Sequence, residues 1–430
     1  MTLGARLGRR VDAASLVAFR ALLGGVLLLS VVRAWAYGWI DALYLQPAYH
    51  FAWLGVPVPP AAVLYGLFAA MGASAVAIAA GRAHRPACAV FLGAFAWVEA
   101  LDKAYYLNHY VLVTLLVATL LAAPLSQRDL RASGFTAPGW ALDLLRVEVA
   151  LVYLWAGVWK LDPDWLLRAE PLTTWLRARV DVPVVGPWLA WGPTAYAMAW
   201  AGAAFDLAVP LALRIRATRA PAYAALVGFH LVLWALFPIG VFPWLMMAAA
   251  TVLLSPSWPR ALARMPAATP PAGRTLRRPA VAAWCAVVAA LALVPARSAL
   301  VGGRTAWHEV GFRFAWRVLL VEKTGYVEYR LEDRATGRRW RVSPAAELTP
   351  LQHQQLRTQP DLVAQYARHL AAREGGDVAV YADSWASLNG SPPQRLVRPD
   401  VDLSGPTPRD WRAWIVPFGA LSALPAEGGG

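Results

Sequence analysis

Long apolar runs separated by short basic loops fill the first 300 residues. Nine stand out, at roughly 13–35, 61–80, 86–103, 109–123, 142–160, 194–213, 221–237, 239–254 and 279–296. About 20 apolar residues in a helix cross the ~30 Å hydrocarbon core of a bilayer. Several runs are shorter than that, so their ends are loose and some helices can pack inside others. The pattern predicts an α-helical polytopic membrane protein with about nine spans. Beyond about residue 300 the pattern becomes that of a water-facing fold. Tyr326-Val-Glu-Tyr-Arg-Leu331 alternates like a strand, Asp333-Arg-Ala-Thr-Gly337 is a turn, and Arg339-Trp-Arg-Val342 completes a hairpin. Residues 350–373 read as one or two amphipathic helices, and Asp377-Val-Ala-Val-Tyr-Ala382 as a further strand. The expected division is a membrane domain over 1–297 and an extracytoplasmic α+β or β-rich domain over 298–430, with the residues from Ala423 onward frayed.

Composition agrees. The chain is 58% hydrophobic and 15% charged, with a mean hydropathy of +0.44, which excludes an ordinary soluble domain. Its 22 tryptophans suit the two aromatic belts of a membrane protein. The net charge of +14 does not imply nucleic acid, because most of the excess lies in short loops between apolar runs. One alternate set of loops carries 15 arginines, near residues 6–10, 82–85, 128–131, 214–219 and 260–278. The other set carries four basic residues, Lys103, Arg168, Arg177 and Arg179. The positive-inside rule then puts the N-terminus in the cytoplasm and the tail outside. The first run is too long for a signal peptide and lacks a small-residue cleavage site, so it reads as a retained span. Among the outer loops, Leu166–Val180 reads as an interfacial helix. Cys88 and Cys285 each lie in an apolar run, without zinc spacing or CxxC, and His308-Glu309 lacks the second histidine of a zinc motif; no metal is predicted. Asn389-Gly-Ser matches a glycosylation sequon.

Only three of the 40 basic residues are lysine: Lys103, Lys160 and Lys323. Lys160 ends the apolar run that begins at Val147, where a charge costs about 2.5–3.5 kcal/mol. Arginine keeps its proton in a protein, whereas a desolvated lysine can release it. Lys160 is therefore a candidate base. Ala156 and Gly157, one turn earlier on the same face, leave room for a flat ligand or a close helix contact, and Tyr153 continues that face. Asn108, His109, Asp206 and His230 are further polar groups expected toward the outer side, where ionisable residues from several helices suggest a shared pocket. Structural readings compete. Lys160 can snorkel or pair with Asp162 or Asp164; His109 can cap its helix; His230 can be a core residue; Arg20 and Arg146 can pair with Glu148 or Glu99.

At these residues the chain resembles the vitamin K-dependent γ-glutamyl carboxylase family and its bacterial relatives. Ala14-Ser-Leu-Val-Ala-Phe-Arg20 looks like the family's first-span motif. Leu101-Asp-Lys103 with Asn108-His109-Tyr110 looks like its LDK…NNH segment, and Ala156-Gly-Val-Trp-Lys-Leu-Asp-Pro-Asp-Trp165 is similar to AGVKKLDADW. Phe229-His230, Ile239-Gly-Val-Phe242 and Ser255-Pro-Ser-Trp-Pro-Arg260 fit the following block. In the tail, Tyr381-Ala-Asp-Ser-Trp-Ala-Ser-Leu-Asn389 resembles YFDIWVSIND, and Gln394-Arg-Leu-Val-Arg-Pro-Asp-Val-Asp402 resembles QQRIFDPRVD. The shared order over about 12–262 and 305–415 makes the likeness specific.

The resemblance implies a carbon–carbon lyase-class carboxylase acting with reduced vitamin K, either phylloquinol or menaquinol. A lysine at the position of Lys160 would deprotonate the quinol. Reaction with O2 gives the epoxide and a strong base, which removes a γ-proton from a protein or peptide glutamate, and the carbanion takes up CO2. The histidine at the position of His109 is associated with the carboxylation half. Asn108, Tyr153, Gly157, Trp159, Asp206 and His230 are expected around the quinol. The implied partners are a glutamate-containing protein or peptide, membrane lipid and quinone, with no nucleic acid. Heavy alanine and arginine use with scarce lysine points to a GC-rich bacterial genome, and the expected location is a bacterial inner membrane. There are departures. Vertebrate members have a second lysine where this chain has Trp159, a longer C-terminus, a luminal cysteine bridge and histidines near the positions of Val321–Thr324. Those differences bear on carboxylation more than on quinol oxygenation. Two other readings follow: a quinol epoxidase without carboxylation, and a non-enzymatic membrane scaffold or chaperone.

Overall fold

The computed structural model describes residues 1–266, 268–375 and 377–420. The tail from Ala423, expected to fray, lies outside the described residues. Each of the nine apolar runs contains a helix: α1 (Ala14–Ala36), α2 (Ala61–Ala80), α3 (His84–Leu101), α4 (Asn108–Ala122), α5 (Gly139–Trp159), α6 (Gly192–Ala212), α7 (Arg219–Leu236), α8 (Phe242–Ala250) and α9 (Arg278–Leu300). Five of these, α1, α2, α6, α7 and α9, are long and apolar enough to cross a membrane. The others fall short of that standard for visible reasons. α4 has 15 residues and α8 nine. α5 is long enough, but Asp143, Arg146 and Glu148 interrupt it, and all three are buried in the bundle.

Inside the bundle, Arg20 and Arg146 serve helix ends. Arg20 donates to the carbonyl of Leu125, just past α4. Arg146 donates to the carbonyls of Val252 and Leu254 at 2.8 and 2.9 Å, just past α8. The last carbonyls of a helix have no partner within it, so a buried end needs such donors. This corrects the expected pairing of Arg20 and Arg146 with Glu148 or Glu99. Arg146 does approach one acid, Asp143, at 3.5 Å. Glu148 accepts from Thr119 at 2.6 Å.

Two strands, β1 (Arg10–Asp12) and β2 (Thr136–Pro138), pair antiparallel and tie the N-terminus to the start of α5. The tail holds a four-stranded antiparallel sheet. β3 (Lys323–Asp333) pairs along its whole length with β5 (Val378–Leu388); β4 (Arg339–Val342) and β6 (Gln394–Arg395) take the edges. The expected hairpin is β3–β4. The expected amphipathic stretch forms α10 (Pro350–Leu356) and α11 (Pro360–Arg373). α11 buries Leu362, Val363, Tyr366, Ala367 and Leu370 and packs on β5, a helical stripe against a sheet face. Gln352 then joins the two parts of the molecule, donating to Asp102 and to the Tyr49 carbonyl, each at 2.7 Å.

Two local expectations change. Leu166–Val180 is not one helix but two short ones, Pro163–Arg168 and Leu172–Arg177. Pro171 lacks the N–H that a continuing helix needs, and Ala169 before it is left-handed with φ 50°. Asn389 is no glycosylation site. It is 4% exposed and donates to Asp164 at 3.1 Å and to the Leu320 carbonyl at 3.3 Å.

Candidate functional site

Lys160 caps the C-terminal end of α5, where a cation complements the helix dipole. Its Nζ lies 2.7 Å from Oδ2 of Asp206 on α6. The two side chains are nearly solvent-free, at 5% and 4% residue exposure. The ammonium also sits 5.2 Å from the ring centre of Trp165 and 3.5 Å from the Ala156 carbonyl. Asp162 and Asp164, the acids next in sequence, are not its partners. Asp162 caps the Pro163–Arg168 helix, and Asp164 binds Arg168 and Arg304. The expected alternative of pairing is realised with a different acid, Asp206 instead of Asp162 or Asp164. The buried group is an ion pair, net neutral, with one face toward a cavity.

That cavity has about 60 Å³ of open space and is lined by Tyr153, Ala156, Lys160, Trp165, Asp206 and His230, with Phe229, Phe242, Met198 and Met246 completing apolar walls. Tyr153 and His230 form a second polar pair, Oη to Nε2, at 2.8 Å. The other ring nitrogen of His230, Nδ1, is buried without a hydrogen-bond partner among the described residues. Val318 and Leu319 of the tail roof the space. Their loop is held in unusual backbone conformations: Phe314, Trp316 and Leu319 all have φ near +60°. Non-glycine residues there are strained and persist where surrounding packing over-determines them.

The polar set fits a ligand with one hydroxyl-bearing aromatic end: an ion pair and an unpaired imidazole nitrogen lie at an apolar wall. The volume does not yet fit a bicyclic ring system, since ligand pockets typically measure about 300–1,000 Å³. Admission of such a ligand requires the flexible walls, Met198 and Met246 first, to move.

Lys160, Asp206, Tyr153 and His230 thus come together as expected, but the other proposed pocket residues do not. His109, at the start of α4, lines a second cavity of about 80 Å³ with Glu99, Tyr110 and Tyr44. Phe242 stands between the two spaces, its ring centre 5.7 Å from that of His109 and 6.1 Å from that of His230. Asn108 accepts from Tyr106 at 2.9 Å and donates to the Arg317 carbonyl at 3.2 Å. Trp159 donates to the Ala315 carbonyl at 2.6 Å, and Arg317 lies 3.9 Å over its ring. Both side chains hold the tail against the bundle. Gly157 faces Leu207: a Cβ there would lie 2.7 Å from Leu207 Cγ, so the glycine permits close approach of α5 and α6. Of the two alternatives for this small residue, helix contact is the one realised.

Sequence reasoning missed two features. Phe242 as a partition carried no signal beyond being aromatic. Glu99 was visible as an acid in an apolar run, yet its lack of any hydrogen bond or ion pair among the described residues needed coordinates. Among those residues, no group of three or more His, Cys, Asp or Glu comes together as a metal site.

Residues 8–258 match the HTTM domain, which alone is more than half of the chain. Residues 277–420 match the lumenal domain of vitamin K-dependent gamma-carboxylase. No solved structure matches the chain.

Proposed function

The chain belongs to the vitamin K-dependent gamma-carboxylase family, and from that premise we propose that it oxygenates a reduced vitamin K and uses the base so formed to carboxylate glutamate in a protein or peptide. The observation that carries this reading is the buried Lys160–Asp206 pair facing an apolar cavity. The pair, rather than the amine alone, is the base. Taking one proton from a ligand hydroxyl changes it from neutral to a single positive charge, which then faces the ligand's new negative charge. In a dry site that attraction is far stronger than in water and needs no solvent rearrangement. Tyr153 and His230 orient the hydroxyl from the other side, with His230 Nδ1 free to accept or donate a hydrogen bond. The walls keep water from quenching a strong base. The quinol, when bound, supplies the oxygen chemistry; Lys160 and Asp206 hold and move its proton.

His109 and Glu99 line the compartment on the far side of Phe242, and we assign the carboxylation half to that side. The same partition favours a second reading, quinol epoxidation without carboxylation, in which the Lys160 cavity works alone. The reading includes the finer topology as well: about nine spans, N-terminus in the cytoplasm, the sheet domain outside, in a bacterial inner membrane.

The test uses full-length protein in membranes with phylloquinol or menaquinol, labelled bicarbonate and a glutamate-containing peptide. The expected result is epoxide together with labelled peptide. Lys160→Ala and Asp206→Asn should each lower epoxide formation by about 10²–10⁴-fold, the usual worth of a positioned base. Lys160→Arg, which can still pair with Asp206, should lose less than Lys160→Ala. Epoxide without label selects the epoxidase reading. No epoxide from the wild type rejects both and leaves a scaffold, and full activity in Lys160→Ala removes the pair from the chemistry.

A further inference from the structure

At the ends of α2 and α4 remote from the sheet domain, the chain builds a cleft that quinol chemistry does not use. Its volume is about 640 Å³. The turn after α2 supplies Arg82 and Arg85, and the short helix Gln127–Ala132 supplies Arg128 and Arg131. None of these four guanidinium groups donates a hydrogen bond or forms an ion pair among the described residues. Other arginines nearby are occupied. Arg9 binds Asp143 at 2.8 Å, Arg260 binds Asp12 at 2.9 Å, and Arg20 and Arg146 hold carbonyls.

The cleft is fixed by its backbone. Gln127 stitches the two segments together, its N–H donating to the Gly81 carbonyl at 3.0 Å and its side chain to the Ala80 carbonyl at 2.9 Å. Gly81 is left-handed at φ 68°, and a Cβ there would collide with the Arg20 guanidinium, so the turn has little freedom. His84, beneath the turn, bonds the Leu120 carbonyl at 2.8 Å. The one acid in the cleft, Asp129, forms a capping box with Ser126, 2.7 Å from its Oγ, and keeps its charge. Four cations with unused guanidinium donors therefore face a single carboxylate, which leaves the cleft strongly positive. Just inside, Val76 on α2 and Val90 on α3 are half-exposed on the bundle surface, where acyl chains would lie.

We propose that this cleft binds the phosphodiester headgroup of an anionic phospholipid. Guanidinium forks match phosphate oxygens in pairs, and basic pockets between spans at the membrane edge suit such headgroups. The adjoining valines distinguish a lipid from free phosphate, because they offer the tails a surface. The inference rests on membrane embedding and is independent of the carboxylase reading.

The test is a titration of full-length protein, in a neutral detergent, with phosphatidylglycerol. Binding is read as the rise in unfolding midpoint and as lipid retained in native mass spectrometry. Each arginine near an anionic lipid is worth about fivefold in affinity. Arg82→Gln with Arg128→Gln should weaken apparent binding about 25-fold, and either single variant about fivefold. Arg216→Gln with Arg264→Gln, two exposed arginines away from the cleft, should change it less than about twofold. Equal losses from both pairs would reduce the effect to general surface attraction and overturn the proposal. So would no loss from either pair, or displacement of the lipid by millimolar inorganic phosphate. If the double variant fails to fold, the two single variants give the same reading.

Discussion

All three lysines of this chain pair with carboxylates, and Lys160 in addition is buried and lines an apolar cavity. Lys103 and Lys323 belong to a network where the sheet domain meets the bundle. Lys103 reaches Asp361 at 3.2 Å, and Arg313 reaches the same carboxylate at 2.8 Å. Lys323 reaches Glu309 at 3.4 Å, donates to the Trp307 carbonyl at 2.6 Å and lies over the Trp307 ring. Burial pulls the Lys323 ammonium below its usual pKa while Glu309 opposes the change, and burial pushes Glu309 up while Lys323 opposes that. Burial alone would raise Asp361, but Arg313 and Lys103 outweigh it and hold the carboxyl below its usual value. In this network Asp361 is shared by Lys103 and Arg313, and Lys323 is held by Glu309 and the Trp307 carbonyl. Lys160 has one carboxylate, one ring and a wall of apolar side chains with space beyond. A buried ion pair is by itself weak grounds for function or stability. What separates the two regions is the cavity. The contrast also weakens a compositional argument: two of the three lysines do structural work, so lysine among arginines does not by itself mark a titratable amine.

The sharpest way to break this contrast is to remove a lysine from each region. Lys323→Met leaves Glu309 buried and alone, which should cost about 3–5 kcal/mol of stability. Adding Glu309→Gln should recover much of that loss, because no unpaired charge then remains. Quinol turnover per folded molecule should stay within about twofold of wild type in the double variant, far from the 10²–10⁴-fold loss expected for a missing base. Unfolding midpoints in denaturant and epoxide formation on the same samples decide the matter. A large turnover defect in Lys323→Met/Glu309→Gln would erase the distinction between the regions.

Much of the fold was legible because membrane spans and amphipathic elements are written as local periodicity. The nine helices, the β3–β4 hairpin and α11 all follow from runs of side chains read one segment at a time. Partners were not legible. Lys160 and Asp206 are 46 residues apart, and an apolar run gives no sign of which face meets which neighbour. Asp162 and Asp164 looked like the partners because they are near in sequence, but the turn after α5 carries them outward to Arg304 and Arg168. Phe242 reads as one more apolar residue, although its place between two histidines divides the interior. The roof of the cavity comes from Val318 and Leu319, over 150 residues beyond Lys160, and such closure is set by tertiary packing alone.

A second, smaller test concerns how Lys160 is delivered to Asp206. Gly157 lets α5 and α6 approach until a Cβ would lie 2.7 Å from Leu207 Cγ and 3.0 Å from its backbone nitrogen. The side chain can shift, but the backbone cannot without moving the helix that carries Asp206. Gly157→Ala should therefore lose about 1–3 kcal/mol through overpacking, despite the better helix propensity of alanine. Because Asp206 precedes Leu207 on α6, turnover should fall along with stability. The same substitution at Gly93, where a Cβ would meet nothing within 4 Å, should lose neither. Gly157→Ala at wild-type stability would mean that the close approach is not needed to form the pair.

The smallest expected effect separates the sheet domain from the bundle by pH. His308 is stacked on Trp411 with ring centres 4.4 Å apart. Its Nε2 lies 3.1 Å from the Gly302 carbonyl, and its Nδ1 accepts from the Val310 N–H at 3.1 Å. Nδ1 must be unprotonated to accept, so the fold selects neutral imidazole; burial in addition pulls the pKa down to about 4. In the unfolded chain a histidine titrates near 6.5. Between those values the unfolded state binds the extra proton, so stability falls as pH drops from about 6.5 to about 4 and then levels off. The full effect should be on the order of 1–2 kcal/mol after allowance for partial solvent screening. Asp361 loses its contribution only below its ordinary range near 3.8, because its folded pKa is depressed, so the two windows do not overlap. Unfolding midpoints of wild type and His308→Gln, measured between pH 7 and 4, should diverge at the upper end and converge at the lower. Parallel curves would place the acid sensitivity on the carboxylates and detach it from this ring.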